Sequence, residues 1–218
     1  MPLQNRVNPL GEFCAVPHRG MFMGNRGVLH DDAGTIRSSW QSKRWIICLT
    51  NFKGRRRPLL RPGCYTELFF MDEATALAAG HRPCAECRRD RYKAFVTAFA
   101  EGNGDILSGL RPTADVMDKC LHQHRVDATG NQVRWYAPVD ELPDGVMFVA
   151  PDRLWQPFLK WCGSFYAWSF EGYSLCEMAL DGNDVAVLTP RPTLNAITAG
   201  FIPDVHPSAL ALSEQAHG

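Results

Sequence analysis

The stretch DEATALAAGHRPCAECRRDRY, residues 72–92, decides how the chain is read. Cys84 and Cys87 stand two residues apart between a small-residue segment and a basic one. Asp72 is placed to cap a helix that has Glu73 in its first turn and Gly80 at its end. Beyond the cysteines, Tyr92, Phe95, Val96 and Phe99 recur at i, i+3, i+4 and i+7, the single apolar stripe of a helix that Gly102 stops. The cysteines therefore fall in a turn between two helices. Such a turn aims both sulfurs at one ion, and zinc is the expected ion. A redox pair would instead follow a strand, at the N-terminus of a helix. Here Gly80-His81-Arg82-Pro83 precedes it, and the flanking Pro83, Arg88 and Arg89 mark an exposed turn rather than a packed core.

The same residues carry a resemblance. Phe69, Phe70, Glu73, Ala74, Leu77, Ala78, Ala79, Gly80, Arg82, Pro83, Cys84 and Cys87 follow in order the second half of the metal-binding domain of Ada-type methylphosphotriester-DNA repair proteins. The window is residues 65–91. The resemblance implies a small zinc-stapled platform with further thiolate ligands upstream. That family's Cys-x-x-x-Cys pair, which includes its methyl acceptor, has no counterpart in this chain, so the likeness extends to metal and DNA and not to methyl transfer. The upstream candidates are single residues: Cys64 in the RPGCY turn and Cys48 in the middle of a strand, with Cys14 and His30 as alternatives. The expected Zn2+ ligands are Cys84, Cys87, Cys48 and Cys64.

Charge patterning points to a polyanion. The net charge is zero, but residues 1–62 hold eleven Lys and Arg against three acids, whereas residues 112–218 hold six against thirteen. Lys53, Arg55, Arg56, Arg57 and Arg61 crowd one turn, and Arg82, Arg88 and Arg89 flank the cysteines. Arginine forks match phosphate oxygens, and a backbone-reading surface is basic and blind to sequence. These eight residues are the expected DNA-binding set. The alternative for a basic turn is a solvated tip.

A reaction centre is less evident. The zinc deaminase pattern needs a His-x-Glu upstream of its Pro-Cys-x-x-Cys, and neither His18 nor His30 has Glu two residues on. His122, with Asp118 one helical turn before it, is the candidate general base of a nuclease or glycosylase. The competing reading is a helix face on which Met117, Cys120, Leu121 and His124 pack. Trp155, Trp161, Tyr166, Trp168 and Tyr173 form an aromatic run that suits a sheet core or a base-stacking surface.

The remaining pattern is α+β: hairpins in the first forty residues, strands around 45–50 and 65–70, helices over 72–80, 88–102 and 113–128, then mostly strands and a short helix near 192–200. The expected layout is a zinc-centred basic region over residues 1–111, with a small sheet and flanking helices, and an acidic, aromatic, β-rich region over 112–218. The alternative is one continuous domain. The tail after Pro207 reads as frayed. No apolar run reaches the ~18 residues of a membrane span, and no signal-peptide pattern opens the chain, so a cytoplasmic location is expected. The functional expectation is a zinc-dependent DNA-binding protein of repair or processing. The alternatives are a nucleic-acid-cleaving or base-removing enzyme and a zinc-stabilised protein-interaction domain.

Overall fold

Alternation along three short strands builds the face that matters. In a computed structural model, which describes residues 1–54, 58–176 and 183–217, β1 (Arg6–Val7), β2 (Phe13–Cys14), β3 (Phe22–Asn25), β4 (Ile46–Leu49), β5 (Leu68–Phe70) and β6 (Arg82–Pro83) form one sheet in the order β2-β1-β5-β3-β4-β6. Phe22, Ile47, Leu68 and Phe70 point into the core and are buried. Met23, Asn25, Ile46 and Phe69, one residue out of phase, turn to the opposite face and are only half-buried. The pairs β1–β5 and β4–β6 are parallel, and the other pairs of this sheet are antiparallel.

Helix α1 (Glu73–Ala78) is buried throughout, which accounts for its small residues. Asp72 caps it as expected, Oδ1 accepting from the Thr75 N–H at 2.8 Å. Asp72 Oδ2 accepts from the Tyr173 hydroxyl at 2.9 Å and the His206 N–H at 3.0 Å. The Trp168 indole donates to Thr75 Oγ1 at 3.0 Å. Half of the aromatic run is thereby spent on holding α1. Trp168, Tyr166 and Tyr173 are buried with Met71, Ala74 and Ala78 in one cluster, while Trp155 is 74% exposed.

Helices α2 (Arg89–Gly102), α3 (Gly104–Leu107) and α4 (Ala114–Arg125) follow. Phe95 and Phe99 of the expected α2 stripe are fully buried. The second sheet contains β7 (Trp135–Pro138), β8 (Met147–Val149), β9 (Pro157–Trp161), β10 (Ser164–Ser169), β11 (Gly172–Cys176) and β12 (Asp184–Val187), in the order β11-β10-β9-β8-β12-β7. Helix α5 (Arg191–Thr198) crosses α2 so closely that a Cβ on Gly102 would lie 2.3 Å from the Asn195 carbonyl oxygen. Helix α6 (Pro207–His217) replaces the frayed tail expected from sequence. Its Ala209 is fully buried in the cluster that holds Tyr173, and burial of that kind orders a segment that local propensity leaves undecided.

A boundary at residues 111 and 112 separates the two sheets but not the core. Phe95, Phe99, Met117 and Leu121 share one cluster with Phe70, Phe158, Val187 and Phe201. Charge ties the halves as well. Glu73, with no exposed side-chain surface, accepts from Arg88 Nη1 at 2.6 Å and from Arg91 Nη2 at 2.5 Å, and Arg88 Nη2 also reaches Asp204 at 2.8 Å. No helix among the described residues is long and apolar enough to cross a membrane.

Removing one partner of a buried ion pair strands the other charge at a cost of about 3–5 kcal/mol. Glu73→Ala should therefore destabilise the whole chain by about that amount in urea unfolding, and an effect below about 1 kcal/mol would show that Arg88 finds another partner.

Candidate metal centre

The parallel pairing of β4 and β6 brings a strand cysteine to the turn. Its register sets Ile46 beside Arg82 and Ile47 beside Pro83, and the next residues along are Cys48 and Cys84. The Cys84 N–H donates to the Ile47 carbonyl at 2.9 Å, continuing the ladder. Cys87 then returns over the turn as α2 begins. The sulfurs of Cys48, Cys84 and Cys87 all lie within 4.8 Å of one another. A tetrahedral Zn–S site with bonds of about 2.3 Å needs sulfurs about 3.8 Å apart, so the group is close to ligating geometry.

Electrostatics describe a site in want of a cation. Hydrogen bonding from Cys48 and then Cys87 pulls the Cys84 thiol far down, helped by backbone N–H groups of Cys87 and Glu86; the Glu86 N–H lies 3.4 Å from Sγ. The Cys48 thiol is pushed up by its hydrogen bonds to Cys84 and Cys87 and by burial. Cys87 is also raised: its bond to Cys48 favours the thiolate but is outweighed by Cys84 and burial. The three thiols thus compete for ionisation, with Cys84 favoured. A thiophilic metal would let all three ionise, because thiolate is the ligating form.

Around this centre opens a cleft of about 610 Å³. Its floor is the outward face of the first sheet, Met23, Asn25, Ile46 and Phe69. One wall comes from Leu49, Thr50, Phe52 and Leu59, and Tyr65, Glu67 and Glu86 complete the lining. The Leu60 N–H donates to Glu67 Oε2 at 3.0 Å, anchoring the wall to the strand.

One expected ligand, Cys64, and the alternative His30 stand elsewhere. Cys64 is not among the gathered sulfurs; its N–H closes a turn on the Arg61 carbonyl at 3.0 Å. His30 is committed through Nδ1 to Thr66 Oγ1 at 2.6 Å and through Nε2 to the Arg61 carbonyl at 3.3 Å. Among the described residues the thiolate set is three, not four.

The expected DNA-binding set divides in two. Arg82 is 2% exposed, its Nε and Nη2 bound to both oxygens of Asp118 at 2.8 and 2.7 Å. Arg88 is 5% exposed and bridges Glu73 and Asp204. Both are corrected from surface contacts to buried struts. Lys53, Arg61 and Arg89 are exposed, and Arg89 shares a shallow groove with Leu49 and Cys87. Arg55, Arg56 and Arg57 lie outside the described residues.

His122 is also corrected. Asp118 is engaged by Arg82 and orients no imidazole. His122 packs against the edges of Trp40 and Trp45, with Arg125 Nη2 at 3.3 Å from its Nδ1. It is absent from the lining of the cysteine cleft. Burial, Arg125 and Lys43 depress its pKa to about 4. The unfolded chain thus binds a proton between about pH 6.5 and 4 that the folded chain refuses, so folding weakens as pH falls through that window. NMR titration of the His122 ring should show a midpoint near pH 4, and a midpoint above 6 would place the ring in water.

Comparison with family models, with curated proteins and with solved structures gives no match. Sequence reasoning missed the buried acids Glu73 and Asp118, whose pattern in the sequence looks like helix surface. If the three sulfurs form the site, Cys48→Ser and Cys84→Ser should each lower bound metal by more than about half of the roughly one ion per chain of such a site, while Cys64→Ser leaves it unchanged. Elemental analysis of the purified variants decides it, and metal loss in Cys64→Ser would contradict the ligand set.

Proposed function

We propose that the chain is a zinc protein that binds nucleic acid through the face carrying Cys48, Cys84 and Cys87. The observation that supports this best is a three-thiol group lining an open cleft, with Lys53 over the ring of its lining residue Phe52 and Arg89 beside Cys87 in the adjoining groove. Soft thiolates in a reducing compartment select zinc over harder divalent ions. Phe52 and Leu59 both line the cleft, and in sequence they bracket Lys53 and the Arg55–Arg57 run. Arg89 stands on the far side of Cys87. An exposed ammonium and an exposed guanidinium near such a cleft suit contact with a phosphate backbone. The Ada-type resemblance over residues 65–91 agrees with that reading.

A second reading rests on the ligand count. Three protein ligands beside a cleft leave a coordination position for water or substrate, the arrangement of catalytic rather than structural zinc. In that case the metal, not His122, would activate the water of a nuclease or glycosylase.

Gel shifts at low salt on duplex and single-stranded oligonucleotides test the first reading. Lys53→Glu and Arg89→Glu should each weaken binding and flatten the salt dependence by about one charge. Replacing Arg55, Arg56 and Arg57 together by Glu should abolish binding with little change in melting temperature. No binding by the parent protein at low salt would defeat the proposal. The same oligonucleotides, carrying modified bases, report cleavage. Product that is lost on Cys48→Ser and on chelation would favour the second reading.

A further inference from the structure

Among the described residues four arginines are almost fully buried, and they separate into two kinds. Arg82 and Arg88 each face carboxylates at 2.6 to 2.8 Å. Arg26 and Arg125, each 2% exposed, face none within ion-pair distance among the described residues. Arg26 makes only long contacts: Nε to His81 Nε2 at 3.3 Å, and Nη1 and Nη2 to the carbonyls of Gly11, Ser39 and Ala79 at 3.4 Å. Arg125 donates to the carbonyls of Gly80 at 2.9 Å and Lys43 at 2.7 Å, and its Nε has no partner. The two guanidiniums lie 4.1 and 4.0 Å from the ring centre of the same residue, Trp45. Cation–π attraction holds them there, but it does not cancel two buried positive charges. Burial and then the charge of Arg125 hold the Arg26 pKa down to about 9, and burial lowers Arg125 against the partial offset of Asp118.

Both line one cavity of about 550 Å³, on the side of the chain that holds Trp45 rather than Cys48. Arg134 adds a third cation in the lining and is exposed. The one acid there is Glu12, at an exposed position and already accepting from Asn8 Nδ2 at 2.8 Å. Three cations against one anion leave two positive charges in a cavity of small-ligand size. Gly80 supports the same geometry: its φ is +85°, and a Cβ there would meet Arg125 Cδ at 2.7 Å.

We propose that this cavity, lined by Arg26, Trp45, Arg125 and Arg134, is a binding site for a phosphate monoester. A monoester carries close to two negative charges at neutral pH, which balances the excess, and guanidinium matches phosphate oxygens in shape. The phosphate can belong to a small phosphorylated metabolite or to the end of a nucleic-acid strand. The site is distinct from the cysteine cleft, sharing no lining residue with it, and does not depend on the metal.

The test is thermal unfolding and calorimetry of the full chain at constant ionic strength. Its arms are inorganic phosphate, a nucleoside 5′-monophosphate, oligonucleotides with and without a 5′-phosphate, acetate, and chloride. The melting temperature should rise with phosphate and with at least one monoester, and not with acetate or chloride. A larger effect from the nucleotide identifies a small ligand, and a larger effect from the 5′-phosphorylated strand identifies a strand end. Arg134→Glu changes an exposed residue and should keep the fold while lowering affinity by about tenfold or more. Arg125→Gln should remove the phosphate response if it folds. Stabilisation by phosphate no greater than by chloride, stabilisation by acetate equal to that by phosphate, or an unchanged response in Arg134→Glu overturns the proposal.

Discussion

Two residues of parallel pairing organise the candidate site. Where β6 runs beside β4, the Arg82 N–H donates to the Trp45 carbonyl at 3.1 Å and the Cys84 N–H to the Ile47 carbonyl at 2.9 Å. These bonds set three neighbours at once. They place Cys84 against Cys48, bury the Arg82 side chain toward Asp118 on α4, and bring His81 against Trp45 and Phe70. Pro83 suits this place because an edge strand needs no further donor from it. The turn that follows is free to swing Cys87 back to the other two sulfurs. The three-cysteine group and the arginine cavity thus lie close together along the chain, with Cys48 and Trp45 three residues apart.

The burial of α1 explains why a motif of about twenty residues depends on a chain of 218. A six-residue helix has no stability of its own. It is held by Asp72, Glu73 and Thr75, whose polar groups are satisfied by Tyr173, His206, Arg88, Arg91, Asp204 and Trp168. Four of those six come from the C-terminal half. That half therefore clamps the cysteine turn, and its aromatic residues are largely structural rather than an exposed stacking platform. The acidic excess of residues 112–218 serves in part to neutralise arginines of the other half through Asp118 and Asp204.

How much could be read from sequence varies with the range of the physics involved. Local rules placed the Asp72 cap, the α2 stripe and the β4 and β5 strands, because capping, periodicity and apolar runs act within a few residues. The pairing of Cys48 with the turn depends on register between segments 36 positions apart, and no spacing rule reports that. Cys64 looked equivalent only because both cysteines are single and upstream. Arg82 and Arg88 looked like surface charge for a related reason: their partners Asp118, Glu73 and Asp204 are remote in sequence or on the far face of a helix. In the case of α6, Ala209 orders the tail by packing beside Tyr173, a tertiary contact invisible to propensity.

The central claim is that three thiolates hold one zinc ion beside an open cleft. X-ray absorption at the zinc edge of the purified protein tests it most directly. The expected spectrum is three sulfurs at about 2.3 Å with one lighter oxygen or nitrogen ligand at about 2.0 Å. That lighter ligand should persist in Cys64→Ser. A four-sulfur shell, or a protein that binds no zinc when every thiol is reduced, would contradict it.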